Sequence, residues 1–140
     1  MYKIGTVIRT TLPYKSFGVD EKERWFVFLG RVNFTRSPRN VYLCTTTTQI
    51  QKYKENPSST YVFFSEKNSC FDRDCILCLD EIEDSYTETK FNLKFKPEYK
   101  GEITKEKLRE IAIKIKKADL PKIIIDDILE SFKLEGISTK

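Results

Sequence analysis

Four consecutive threonines, Thr45 to Thr48, stand inside the stretch VYLCTTTTQIQKYK, between an apolar run and a basic one. Threonine is β-branched and fits an extended strand. Because strand side chains alternate, such a run offers hydroxyls to both faces of a sheet. Lys52 and Lys54 follow closely and could hold an anion beside those hydroxyls. An ordinary edge strand with a polar face is the alternative, since β-propensity accounts for the run by itself.

The charge pattern bears on that choice. The net charge of +4 is modest, but the window from Arg24 to Lys54 holds Arg24, Arg31, Arg36, Arg39, Lys52 and Lys54 and no carboxylate. At the chain's average composition about four or five acids would fall there. Each missing carboxylate removes a repulsion toward phosphate, so the window reads either as a polyanion-binding face or as a solvated basic edge.

The chain has no histidine. Imidazole acid–base chemistry and the Ser-His and Cys-His nucleophile pairs are therefore closed to it. Four cysteines remain, Cys44, Cys70, Cys75 and Cys78. Cys75 and Cys78 form a C-x-x-C, but in CILCLDEI it reads as a buried strand, whose positions three apart point to opposite faces. A second C-x-x-C is lacking, and small buried hydrophobes are the better reading. No metal and no cofactor are expected.

These residues need elements to hold them. At 140 residues one domain with one core is expected. Tyr2 to Thr11 reads as a short strand. Arg24 to Phe34 (RWFVFLGRVNF) reads as a core strand in which Gly30 marks a bulge or bend. Val41 to Thr48, Thr60 to Ser65, Asp74 to Ile82 and the alternating Tyr86 to Phe95 complete six strands. One helical turn is expected before Pro57. After Pro97 the period changes: Leu108, Ile111, Ala112 and Ile115 form one helical stripe behind a Thr104 N-cap. Pro121 starts a second helix with Ile125, Ile128, Leu129 and Phe132 on one face. Strands followed by helices suggest a mainly β, α+β domain, or a small barrel with helices packed on it. No apolar run approaches the roughly 20 residues that span a membrane, and the N-terminus lacks a signal-peptide core, so a cytoplasmic protein without membrane association is expected.

Together IGTVIRTTLP, ERWFVFL, SPRNVYLCTTTTQIQKYK and CFDRDCILCLDEI, followed by a helical C-terminus, resemble in order and spacing the MazF/PemK family of toxin endoribonucleases over roughly residues 3–132. The resemblance implies a small SH3-like β-barrel (about 2–96) with two C-terminal helices (about 104–133). It implies metal-independent, sequence-selective cleavage of single-stranded messenger RNA, a homodimer, and an antitoxin protein as partner. Carried over by position, Arg24 matches the catalytic arginine, and the catalytic Thr/Ser falls at Thr47, with Thr46 as the register alternative. Arg73 and Asp74 would support the site, or form a surface ion pair where a strand begins. Arg31, Arg36, Arg39, Lys52, Lys54 and Trp25 would contact RNA. Trp25 stands where the family usually has proline, and Cys75 where many members have serine. A related barrel family of gyrase poisons binds protein instead. The alternative is therefore a non-enzymatic interaction protein, either gyrase-poison-like or a degenerate member that only binds nucleic acid or an antitoxin.

Overall fold

A computed structural model of the chain describes residues 2–13, 21–32, 39–55 and 58–140, apart from the side chains of 11–13, 21–23, 52 and 53. The strands are β1 (Thr6–Pro13), β2 (Glu21–Arg31), β3 (Val41–Thr47), β4 (Tyr61–Phe64), β5 (Cys75–Glu83) and β6 (Glu98–Glu102). They pair in the order β4-β5-β3-β2-β1-β6, and every pairing is antiparallel. The helices are α1 (Ile50–Glu55), α2 (Glu88–Phe95), α3 (Lys105–Lys114) and α4 (Lys122–Leu134). The protein is a mixed α+β domain built on a curled six-stranded sheet, a half-barrel.

Most elements follow from local sequence. Thr104 caps α3, its hydroxyl accepting from Lys107 N, and Leu108, Ile111, Ala112 and Ile115 are all buried. On α4, Ile128 and Phe132 are buried, while Pro121 sits at the N-cap position one residue before the helix. Gly30 does mark a bulge. The β2–β3 register shifts between Phe28 and Gly30, where Gly30 adopts φ +147°. A Cβ there would lie 2.6 Å from Ser131 Oγ, so only glycine lets α4 approach the sheet this closely. Ser131 Oγ accepts from Arg31 N at 3.2 Å, and Tyr42 of β3 donates to Asp127 of α4 at 2.7 Å. Burial first, and then the hydrogen bond and charge of Asp127, push the Tyr42 hydroxyl pKa upward.

One segment departs from the expectation. Tyr86 to Phe95 does not form a strand. Residues 88–95 are α2, capped by Thr87, whose hydroxyl accepts from Lys90 N, and closed by Lys96 at φ +46°. The apparent alternation of Phe91, Leu93 and Phe95 misleads because Leu93 points to solvent at 73% exposure. Phe91 and Phe95, one helical turn apart, pack on each other and on Tyr86. The sixth strand is instead Glu98–Glu102, beyond the boundary at residue 96 expected for the barrel.

The two faces of the sheet carry different neighbours. Phe26 and Phe28 of β2 meet Phe91 of α2 and Tyr2. On the other face Trp25 meets Phe71, which meets Phe64. At the β4 edge, Lys107 and Lys114 of α3 donate to the carbonyls of Phe63 and Tyr61, at 2.7 and 2.8 Å. Glu110 pairs with both lysines. Ammonium groups thus occupy acceptors that an incoming strand would need.

Candidate functional site

In an antiparallel sheet, strand starts and strand ends alternate along each end, so register decides which residues meet. Phe26 pairs with Thr45 and Val27 with Cys44. The described β2–β3 pairs end at Phe26–Thr45; the same register continued by two residues would set Arg24 opposite Thr47 and Trp25 opposite Thr46. The bond from Thr46 Oγ1 to Trp25 O, at 3.5 Å, agrees with this alignment. Thr47 pairs in turn with Ile76, and Ile76 with Phe63. Arg24 pairs on its other side with Thr10, whose hydroxyl donates to Phe95 O at the end of α2. Thr10–Arg24 on one side and Thr47–Ile76–Phe63 on the other are thus two transverse rows that the continued β2–β3 register would join on a single face.

The threonine hydroxyls are not equivalent. Thr45 Oγ1 donates to Glu81 at 3.4 Å. Thr46 lies on the face of Trp25, hydrogen-bonded to Trp25 O and to the Cys75 thiol. Thr47 Oγ1 accepts from Gln49 N at 3.2 Å, and among the described residues its own proton has no acceptor. Thr47 is half-buried, as is Arg24, whose Nε is buried.

The remaining residues singled out by sequence divide between the two ends of the sheet. Arg73 and Asp74 are exposed and immediately precede β5, at the same end as Arg24 and Thr47. Asp74 Oδ1 accepts from Glu66 N at 2.7 Å and so holds the one-turn helix Glu66–Asn68. Lys54 is exposed on α1, just past the end of β3. Arg31 lies at the far end of β2, roughly 20 Å away at the usual rise of a strand. There Arg31 Nη2 donates to Glu88 at 2.9 Å and to Tyr2 O at 3.1 Å, and its guanidinium covers the Phe28 ring. Arg39 is exposed at that far end, next to the Asn40–Thr87 bridge. The acid-free window is thus split between the two ends of the sheet. Arg36 and the side chain of Lys52 lie outside the described residues.

The cysteines are free thiols. Burial pushes the Cys75 thiol up to about 12, helped by the nearby Cys70, Asp72 and Asp74, against the lowering bond from Thr46. Burial also raises Cys44 and Cys70. These three are protonated at neutral pH and are not poised as thiolate nucleophiles. Among the described residues, no three His, Cys, Asp or Glu side chains converge to hold a metal ion, and no helix is long and apolar enough to cross a membrane.

Sequence reasoning missed a group beside Trp25. Arg9 of β1 pairs with Trp25 on one side and Glu98 on the other, and Lys100 stands over the Trp25 ring. No local signal marks it, because it forms only when β6 joins β1. Comparison of the chain with protein-family models and with curated proteins finds no match.

Proposed function

We propose that the protein is a metal-independent, sequence-selective endoribonuclease of the MazF/PemK kind, the toxin of a toxin–antitoxin pair. The observation that carries this reading is the β2–β3 register, which continued from Phe26–Thr45 would bring Arg24 opposite Thr47, whose hydroxyl proton has no acceptor among the described residues. The resemblance in motif order supports it further. The substrate supplies its own nucleophile. Its 2′-hydroxyl attacks the adjacent phosphorus, the bond to the 5′-oxygen breaks, and the products are a 2′,3′-cyclic phosphate and a 5′-hydroxyl. The developing phosphorane charge needs fixed donors, and a guanidinium presents several in a planar fork. Arg24 would supply most of this stabilisation, with Thr47 donating to a second phosphate oxygen. One such contact is worth roughly 3–4 kcal/mol in a transition state. The reading also carries an antitoxin partner and a homodimer with its RNA groove across the interface.

The test uses purified protein and mixed-sequence RNA in EDTA, with mapping of the new ends. Arg24→Ala should lower cleavage by about 10² or more, Arg24→Lys should rescue poorly, and Thr47→Ala should cost more than Thr46→Ala. Strict dependence on added Mg²⁺ would defeat the mechanism. Growth arrest by the expressed protein with no new RNA ends would defeat the enzyme reading in favour of a protein-binding toxin.

A further inference from the structure

On the face opposite Arg24, at the same end of the sheet, Arg9, Glu98 and Lys100 are the charged side chains that gather around Trp25 among the described residues. The Glu98 carboxylate lies 3.7 Å from Arg9 Nη1 and 3.0 Å from Lys100 Nζ, bridging the two cations. Lys100 Nζ stands 5.6 Å from the centroid of the Trp25 ring, which packs on Phe71. Glu98 is the most exposed of the three, with 61% of its side chain accessible against 36% for Arg9 and 24% for Lys100.

We propose that Arg9, Lys100 and Trp25 form a subsite for a backbone phosphate of single-stranded RNA, a position that Glu98 fills in the free protein and yields on binding. The inference rests on the reading of RNA as the ligand. A carboxylate held by two converging cations marks the place where a phosphate would find the same donors, and a phosphate can take a guanidinium bidentately. Exposed ion pairs of this kind are weak, so displacing Glu98 is easy. When Lys100 moves toward the phosphate it uncovers the indole ring, which can then stack a base. That aromatic platform favours RNA over an acidic peptide, which would use the cations alone.

Trp25 is the one tryptophan of the chain, so its fluorescence reports directly on the subsite. The experiment titrates the protein with a short 2′-O-methyl oligouridylate, which cannot be cleaved, across a range of salt concentrations. Saturable quenching is expected. Arg9→Gln and Lys100→Gln should each weaken binding several-fold and lower the salt slope by about 0.7. Glu98→Gln should tighten it by about two- to five-fold, the reverse of an ordinary surface mutation. Matching thermal midpoints would show that the variants fold. Wild-type affinity in both cation variants, or no gain in Glu98→Gln, overturns the proposal. So does a titration in which oligoglutamate quenches and the oligouridylate does not. The readout does not depend on cleavage. Protein that cleaves RNA but fails here loses only this subsite, and protein that passes here but leaves RNA intact loses only the endoribonuclease reading.

Discussion

Replacing Gly30 by alanine tests how α4 is seated on the sheet. Two separate costs arise. The backbone sits at φ +147°, a region essentially closed to residues with a Cβ, and holding alanine there costs about 1–3 kcal/mol. The new methyl would also lie 2.6 Å from Ser131 Oγ and 2.7 Å from Ser131 Cβ, with the α4 backbone at Ile128 Cα only 3.7 Å away. Ser131 Cβ is fixed by the α4 backbone, so rotating the hydroxyl away does not relieve the contact, and overpacking of this kind costs about 1–3 kcal/mol. The expected loss is about 2–6 kcal/mol, a large fraction of the stability of a domain this size. Urea unfolding followed by circular dichroism and by Trp25 fluorescence measures it, with an unchanged slope as the sign that the two-state transition survives. Ser131→Gly separates the two costs. Alone it should destabilise mildly, through helix propensity and loss of the acceptor for Arg31 N. Combined with Gly30→Ala it should restore about 1–3 kcal/mol relative to additivity. A Gly30→Ala protein within about 1 kcal/mol of wild type, or strict additivity in the cycle, would refute the close seating of α4 on Gly30. Because the bulge is far from Trp25, oligonucleotide binding measured below the unfolding transition should not change.

Two further expectations concern titration and thiol chemistry. Burial raises the Glu110 carboxyl pKa, but the hydrogen bond from Lys114 and the charges of Lys107 and Lys114 outweigh it and hold the group below its ordinary value. Its contribution should therefore be complete above the unfolded carboxylate pKa and should fade as pH falls through the lower folded value. Glu110→Gln should flatten that acid limb in thermal melts, and an identical limb in the variant would refute the arrangement. Cys44, Cys75 and Cys78 are buried, whereas Cys70 is half-buried. A thiol reagent should label Cys70 first and slowly in the native protein and all four cysteines after unfolding, as counted by mass spectrometry; rapid native labelling of all four would contradict the burial.

Wherever a periodic pattern has one physical meaning, the sequence by itself determined the outcome. The stripe Leu108, Ile111, Ala112, Ile115 behind a threonine cap reads only as a helix, and the apolar run with Gly30 reads only as a kinked core strand. It misread residues 86–95 because a short polar–apolar alternation also fits two helical turns. Thr87 as a cap and Phe91 with Phe95 at i, i+4 were the available signals for α2. It missed Glu98–Glu102, five residues without an apolar face, which become a strand only by pairing with β1. The candidate site shows the same division. The family resemblance singled out Arg24 and Thr47, with Thr46 as the register alternative, but adjacent strand residues face opposite ways, and the partner strand decides which of them meet. Only the tertiary structure turns Thr46 toward Trp25 O and the Cys75 thiol, on the face away from Thr47. Only tertiary structure carries Arg31 to the far end and into a pair with Glu88, splitting a basic window that is continuous along the chain. It also gathers Arg9, Glu98 and Lys100 around Trp25 from strands far apart in sequence. Periodicity is local and was legible; pairing between distant strands is long-range, and no local pattern encodes it.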